Sequence, residues 1–296
     1  MAMFGLAAGL GASFFWALGA MLAHRPARHL GAFEFTRVQL VTCSLLLAVA
    51  TTATDGWRGL SSAFLWTFIV SCLVGVVASN LAMVTCLRRG GPRRTQLLLA
   101  MSAPISTALS VLFLGESLSP LRVAGAALAM TGIVVAILFG ARAERDREPV
   151  VGSLASMIGF GLIAAASKAI GLVVLKPALA AGVDPMAATA LRTGGAAMLL
   201  SIATVWPLAA FAPATSSNGR MVLAAILPGI LGYVVATALQ LYALGIHETA
   251  IVAVLGSAAP AMILPMIWLA TGQPPSARAW SGAALVVIGT ILIALG

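Results

Sequence analysis

The segment "ARAERDREP", residues 141–149, is the most charged stretch of this chain and lies close to its midpoint. The chain around it is strongly apolar: of 296 residues, 61% are hydrophobic and only 8% are charged. Soluble domains carry roughly 25% charged residues. Too few charged side chains remain here to cover the surface of a soluble fold of this length. The composition therefore predicts an integral membrane protein in a lipid bilayer.

Ten apolar runs lie between connectors rich in Gly, Pro and charge, and each run has about the 20 residues that a spanning helix needs. The charged segment separates five runs from the other five. We predict an all-α membrane protein of ten transmembrane helices, built as a five-helix repeat at 1–140, a charged linker at 141–150 and a second five-helix repeat at 151–296. The predicted spans are 4–23, 32–52, 63–87, 95–114, 119–140, 151–175, 186–207, 220–244, 249–270 and 277–295.

Two similar stretches occupy the fourth and ninth runs, the same place in each half: "APISTALSVLFLGE" (Ala103–Glu116) and "APAMILPMIWLATGQ" (Ala259–Gln273). Each is followed by a second matching stretch, "GAALAMTG" from Gly125 and "GAALVVIG" from Gly282. A repeat with an odd number of spans starts its second copy on the opposite side of the membrane. The halves are therefore predicted to be inverted repeats, which in transporters place the substrate site near the bilayer midplane.

Pro104 and Pro260 begin these two stretches at matching positions. Proline removes a backbone hydrogen bond from a helix, so both are predicted to break or kink their helices at corresponding depths. A kink that only shapes helix packing is the alternative.

Most arginines fall in alternate connectors, and "RRGGPRR" (Arg88–Arg94) is the densest group. Lys and Arg concentrate in cytoplasmic loops, so this side is predicted to be cytoplasmic and both termini to lie outside. The positive charge is thus interpreted as a topology signal, and no nucleic-acid partner is expected.

The chain has only eight acidic residues, and none is predicted deep in a span. Glu34 precedes Arg37 by three residues, a spacing at which the two pair on a helix. Lys168 lies well inside the sixth run without an acid within one helical turn, so it either meets a substrate carboxylate or extends to the interface. Arg192 has the same two interpretations, and anchoring is favoured.

Polar residues inside the spans are predicted to face away from lipid, because unsatisfied polar groups are costly there, whereas aromatic residues also serve in packing or at the membrane interface. Hydrogen bonding between helices is the alternative role. The candidate substrate-binding residues are Trp16, Asn80, Met83, Ser102, Phe160, Lys168, Tyr233 and Gln240. Trp16, Phe160 and Tyr233 would give a cavity aromatic walls suited to an apolar or aromatic solute.

The motifs of common enzymes and cofactor sites are missing from the sequence. It contains no HExxH, no GxSxG, no paired carboxylates in a span and no Walker loop. Its three cysteines have no CxxC spacing. We therefore expect neither an enzyme nor a cofactor or metal site.

Several motifs together resemble the drug/metabolite transporter superfamily, EamA type: "FFWALGA" with Trp16, "FEFTRVQL" with Arg37, "AP" at Ala103 and Ala259, and "LGE" at Leu114. The likeness covers essentially the whole chain, although the second half has "TGQ" in place of "LGE". It implies a secondary carrier in the inner membrane of bacterial type that moves small molecules.

Many relatives export amino acids, and the aromatic cavity favours aromatic or bulky apolar ones. Alternating access around a midplane cavity is the expected mechanism. Uptake instead of export, and a passive channel or membrane scaffold, remain alternatives. The sequence does not specify the solute, the coupling ion or the oligomeric state.

Overall fold

The computed structural model describes residues 2–115, 119–138, 151–205, 219–247, 249–256, 258–272 and 274–295. The predicted linker at 141–150 lies outside them. The α-helices are α1 (Ala2–Leu30), α2 (Ala32–Ala53), α3 (Leu65–Val70), α4 (Ser79–Leu99), α5 (Ser102–Leu114), α6 (Pro120–Leu138), α7 (Leu154–Ala180), α8 (Pro185–Ala203), α9 (Gly219–Gly229), α10 (Thr237–Ile246), α11 (Thr249–Gly256), α12 (Ala259–Thr271) and α13 (Ala277–Leu295). Short 3₁₀ turns at Gly56–Gly59 and Ser62–Phe64 precede α3.

Within the described residues, six helical segments are long and apolar enough to cross a membrane. The third of these runs from Ser62 to Leu114 and contains two of the predicted spans. Two shorter apolar helical segments, Val123–Gly132 and Ala277–Gly289, lie in the fifth and tenth predicted spans. The all-helical membrane architecture is confirmed, while the number ten remains a prediction.

The fourth and ninth predicted spans are each divided into two helical pieces. α4 bends at Gly91, where the backbone leaves helical geometry at φ 76°, and stops before Ala100, after which α5 begins. α11 and α12 are separated in the same way. Pro104 is the third residue of α5, and Pro260 lies in the first turn of α12. A proline in a first turn leaves no hydrogen bond unmade, whereas further inside it would break the helix.

Matching glycines end these two helices. α5 ends at Gly115 with φ 70°, and α12 ends at Gly272 with φ 69°. Both lie in the left-handed region, which glycine adopts without a steric penalty and which commonly terminates helices. The proline and the glycine shared by the two similar sequence stretches thus mark the start and the end of equivalent 13-residue helices.

The second matching stretch forms a close crossing between α6 and α13. A β-carbon at Gly132 would lie 2.7 Å from the carbonyl oxygen of Gly282, and one at Gly289 would lie 2.5 Å from that of Gly125. Side chains at these positions would collide with the opposite backbone. Small residues at such crossings let membrane helices approach closely. The shared "GAAL" and its following glycine therefore pack one half against the other.

Two π-helical segments, Ser71–Ala78 and Ile230–Ala236, directly precede α4 and α10. They lie in the third and eighth predicted spans, again the same place in each half. π-Helical turns are rare and frequently occur at functional sites.

α1 and α7 run in opposite directions. At one end of the bundle, which we call the basic end, the last turns of α1 (Ala23 to Leu30) pack against Leu87 of α4. Next to Leu87, Arg89 hydrogen-bonds Ser156 in the first turn of α7. At the opposite end, Ala8 of α1 shares an apolar core with the C-terminal end of α7, including Leu179. The first helix of one half is thus antiparallel to the first helix of the other.

Candidate functional site

A cavity of about 130 Å³ lies between the two halves of the bundle. Since a water takes roughly 30 Å³ in the liquid, the space is large enough for several waters. Its walls come from α1, α2, α7, α8 and α9, from both π-helical segments, and from α4 and α10 that follow them. Both halves therefore contribute to one chamber.

The structure brings together six of the eight sequence-predicted site residues at this cavity. Those that line it are Trp16, Asn80, Met83, Lys168, Tyr233 and Gln240. Ser102 is buried at the start of α5. Ser106, one helical turn later, donates its hydroxyl to the carbonyl of Ala103 in the same helix. Phe160 packs under the guanidinium of Arg89, 5.0 Å from its ring centre, towards the basic end. Ser102 and Phe160 therefore lie outside the cavity wall.

Lys168 reaches the cavity from the middle of α7. Its Nζ lies 3.4 Å from the centre of the Trp16 indole ring on α1. An ammonium over an aromatic face is attracted by the ring, by about 0.5–2 kcal/mol depending on how far water is excluded. Lys168 is half-buried and is turned into the chamber, so it does not extend to the membrane interface.

Arg192 is the second cation of the cavity. It is 6% exposed, and its Nη2 lies where the π-helical segment of the third predicted span crosses α7. A β-carbon at Gly75 would lie 3.0 Å from this nitrogen and 2.8 Å from the α-carbon of Gly171. The two glycines let the helices touch and leave room for the guanidinium. The Nε of Arg192 is buried without a hydrogen-bond partner in the described part of the chain.

Carboxylates do not balance these charges. Among the described residues that line the cavity, none is Asp or Glu. The ion pairs between described residues join Arg37 to Glu34 and Arg58 to Asp55. Arg37 donates to Glu34 from both Nε and Nη2, at 2.8 and 2.6 Å. The i,i+3 pairing expected from the sequence is therefore present, whereas Arg192, at the similar place in the second half, has no ion-pair partner among the described residues.

Comparison with known proteins agrees with this architecture. The chain matches the EamA-like transporter family twice, over residues 3–138 and 155–295. The chain belongs to the EamA-like transporter family. A solved crystal structure is similar to this chain at 23% sequence identity, with a TM-score of 0.73. The match covers 98% of this chain and 96% of the other chain. That likeness supports the fold. Comparison with curated proteins finds no match.

Family membership makes this EamA-like transporter a multi-pass membrane protein that moves a small molecule. The two matched regions correspond to the two halves that share the cavity. Within the described residues, no group of three or more His, Cys, Asp or Glu is arranged to hold a metal ion.

Several lining residues of the EamA-like transporter were not among the predicted site residues. They include Gln39, Gln96, Thr189, Arg192 and Thr193. One sequence signal could have found three of them. Thr189, Arg192 and Thr193 are spaced i, i+3 and i+4, which places them on one face of an otherwise apolar helix. Gln39 and Gln96 lie near other polar residues in the sequence, and only the packed structure shows that they face the cavity.

Three amides in the wall use their NH₂ groups on backbone carbonyls. Asn80 donates to Val76 at 2.7 Å, Gln39 to Ala225 at 3.0 Å, and Gln96 to Trp16 at 3.3 Å. Their amide oxygens remain as acceptors. The hydroxyl of Tyr233 is buried without a partner in the described part of the chain. Buried polar atoms are normally satisfied, and the Tyr233 hydroxyl is an exception at the edge of the cavity.

Proposed function

We propose that this protein is a secondary carrier that exports amino acids, with aromatic and bulky apolar ones favoured, and related small metabolites. The observation that carries the proposal is the cavity between the halves, whose wall contains the Trp16 ring and a few polar side chains, among them Asn80 and Gln240. Small-molecule sites are mostly apolar with a few well-placed polar groups.

Alternating access between two inverted repeats is the proposed mechanism. The opposite directions of α1 and α7 support inversion. Helix contacts support it as well, since the pairing of α7 with the π-helical segment of the first half is mirrored by the pairing of α1 with that of the second. α6 pairs with α13 and α2 with α8, which are equivalent partners. Rocking one half against the other would then expose the cavity to each side in turn.

The proposed orientation places the basic end in the cytoplasm of a bacterial-type inner membrane, with both termini outside. Arg25 and Arg28 are exposed at the end of α1, and Arg89 lies at the same end of the bundle. Arginine is retained on the cytoplasmic side of membrane proteins.

Counterflow in proteoliposomes tests the proposal. Vesicles are loaded with unlabelled phenylalanine, tryptophan, leucine, a nucleoside or a sugar, and entry of the same labelled solute is followed. A carrier gives transient, saturable accumulation with at least one aromatic or bulky apolar amino acid. Flux that rises linearly with concentration and shows no counterflow would identify a channel, and no flux of any solute would contradict the proposal. Repeating the assay with an imposed pH gradient tests coupling, and we expect no effect of the gradient.

A further inference from the structure

The cavity contains two cations and, among the described residues of its wall, no anion. Neither Lys168 nor Arg192 forms an ion pair with a described residue. Charged groups inside a membrane protein are expensive, and they are normally paired or functional. Both charges lie in the wall of a cavity, where a solute can supply the missing negative charge.

The two cations face the same part of the chamber. Gly171 follows Lys168 by three residues on α7, so the two share a helix face and lie about 4.5 Å apart along the axis. The Nη2 of Arg192 would lie 3.5 Å from a β-carbon at Gly171. The guanidinium therefore lies about one helical turn along α7 from the backbone of Lys168, and both residues line the same cavity.

The chemistry of these groups selects a carboxylate. A guanidinium binds a carboxylate through two parallel hydrogen bonds, and a lysine ammonium adds a point charge with freely oriented donors. The Trp16 ring covers one face of the ammonium and leaves its other donors for the chamber. A solute amine would be repelled, because its positive charge would lie beside two cations. Among the described residues, the wall offers it only neutral acceptors, such as the amide oxygen of Asn80.

We infer that Lys168 and Arg192 form an anion-binding site for the carboxylate of the transported solute, and that the carrier binds an organic acid more tightly than the amino acid or the amine of the same skeleton. This inference rests on the proposed function and narrows its substrate class. The amino acid is an intermediate case, because its carboxylate is attracted by the two cations and its ammonium is repelled.

Three ligands with one phenylethyl skeleton test the inference on the unmodified protein. They are 3-phenylpropionate (anion), phenylalanine (zwitterion) and phenethylamine (cation). Binding to the detergent-purified full chain is measured by the shift of its thermal unfolding midpoint across a concentration series. We expect 3-phenylpropionate to bind roughly tenfold or more tightly than phenethylamine, with phenylalanine between them, since a hydrogen bond to a charged group is worth about one to two decades of affinity. Equal or tighter binding of phenethylamine would overturn the inference.

Variants assign the effect to the two residues. Lys168→Met and Arg192→Met each remove one charge while keeping an unbranched apolar side chain. We expect each to weaken 3-phenylpropionate roughly tenfold and to leave phenethylamine unchanged or tighter. Arg58→Gln is the charge-matched control, because the Arg58 side chain is 81% exposed outside the cavity. Unchanged affinity for 3-phenylpropionate in both Met variants would overturn the inference. If neither variant folds, the comparison of the three ligands on the wild-type protein tests the inference.

Non-aromatic acids separate this inference from the proposed function. Succinate and 2-oxoglutarate are added to the same binding series. If these acids bind and no aromatic amino acid shows counterflow, the anion site stands and the proposed aromatic specificity fails. If amino-acid counterflow is present but is neither inhibited by any carboxylate nor reduced in the Lys168 and Arg192 variants, the carrier stands and the anion site fails. Absence of binding by every acid also contradicts the inference.

Discussion

At the scale of single residues, the contact between Lys168 and Trp16 joins the two halves across the cavity. The ammonium lies 3.4 Å from the ring centre, so the indole replaces part of the hydration that a buried lysine loses. Both side chains are also in the chamber wall. The same contact thus holds Lys168 in place and shapes the space for a solute.

Replacing Trp16 with leucine is expected to lower stability by about 0.5–2 kcal/mol, because Lys168 loses the aromatic face that compensates its burial. The measurement is the thermal unfolding midpoint in detergent. Trp66→Leu is the matched control, since Trp66 is 74% exposed on the outside of the bundle. Equal shifts in the two variants would show that the Lys168 contact contributes nothing.

Sequence could predict which residues are polar inside a span, but only in part what they contact. Arg37 and Arg192 occupy similar places in the two halves. The ion pair of Arg37 with Glu34 could be predicted from the sequence, because contacts between residues i and i+3 of a helix are local. The partner of Lys168 lies on another helix, and no local spacing encodes it. The contact of Phe160 with Arg89 likewise depends on tertiary packing.

At the scale of helices, the crossing of α6 and α13 depends on glycine. Gly289→Ala would place a methyl carbon 2.5 Å from the backbone of the opposite helix, so the helices must separate. We expect a loss of about 1–3 kcal/mol, typical of overpacking. Gly159→Ala is the control, because a β-carbon there would have no neighbour within 4 Å. The control should be neutral or slightly stabilising, and thermal unfolding of both variants measures the difference.

The π-helical segment before α10 has its own support. Thr237 donates its hydroxyl to the carbonyl of Gly232 at 2.7 Å, five residues earlier. Thr237→Val keeps the shape and removes the donor, so we expect a loss of about 0.5–1.5 kcal/mol together with slower solute flux. Thr131→Val removes an ordinary hydroxyl-to-carbonyl bond on exposed α6 and should have less effect on both. Equal flux in the two variants would show that the segment has no part in transport.

Helix ends were easier to predict than helix irregularities. The prolines and glycines of the two similar stretches are strong local signals, and they coincide with the starts and ends of α5 and α12. The prediction of single fourth and ninth spans did not foresee the interruptions just before Ser102 and Ala259. The π-helical segments could not be predicted from the sequence. Over seven or eight residues, the spacing of apolar side chains in a π-helix hardly differs from that in an α-helix.

At the scale of the whole molecule, the opposite directions of α1 and α7 give the bundle two distinct ends. Arg58 lies at the end away from the basic end, since its 3₁₀ turn packs on the Gly182–Asp184 turn that follows α7. Arg28 lies at the basic end and is exposed. The three native cysteines are buried, so we expect them to react little with thiol reagents. Labelling of a cysteine added at either end should exceed this background.

These two ends make the proposed orientation testable by thiol labelling in intact cells. A membrane-impermeant maleimide is expected to label Arg58→Cys directly and Arg28→Cys only after the inner membrane is permeabilised, because arginine-rich ends remain cytoplasmic. The reverse pattern would invert the orientation and place both termini inside.

The central claim is that the solute occupies the cavity between the halves and that this cavity opens to each side in turn. The most direct measurement is solute-protected labelling of Ala20→Cys in proteoliposomes. Ala20 lines the cavity and is only partly buried, and this change adds no more than a thiol. We predict labelling by an impermeant thiol reagent from either side, slowed by the transported solute in proportion to its occupancy. Labelling that the solute leaves unchanged, or that occurs from one side only, would contradict the account.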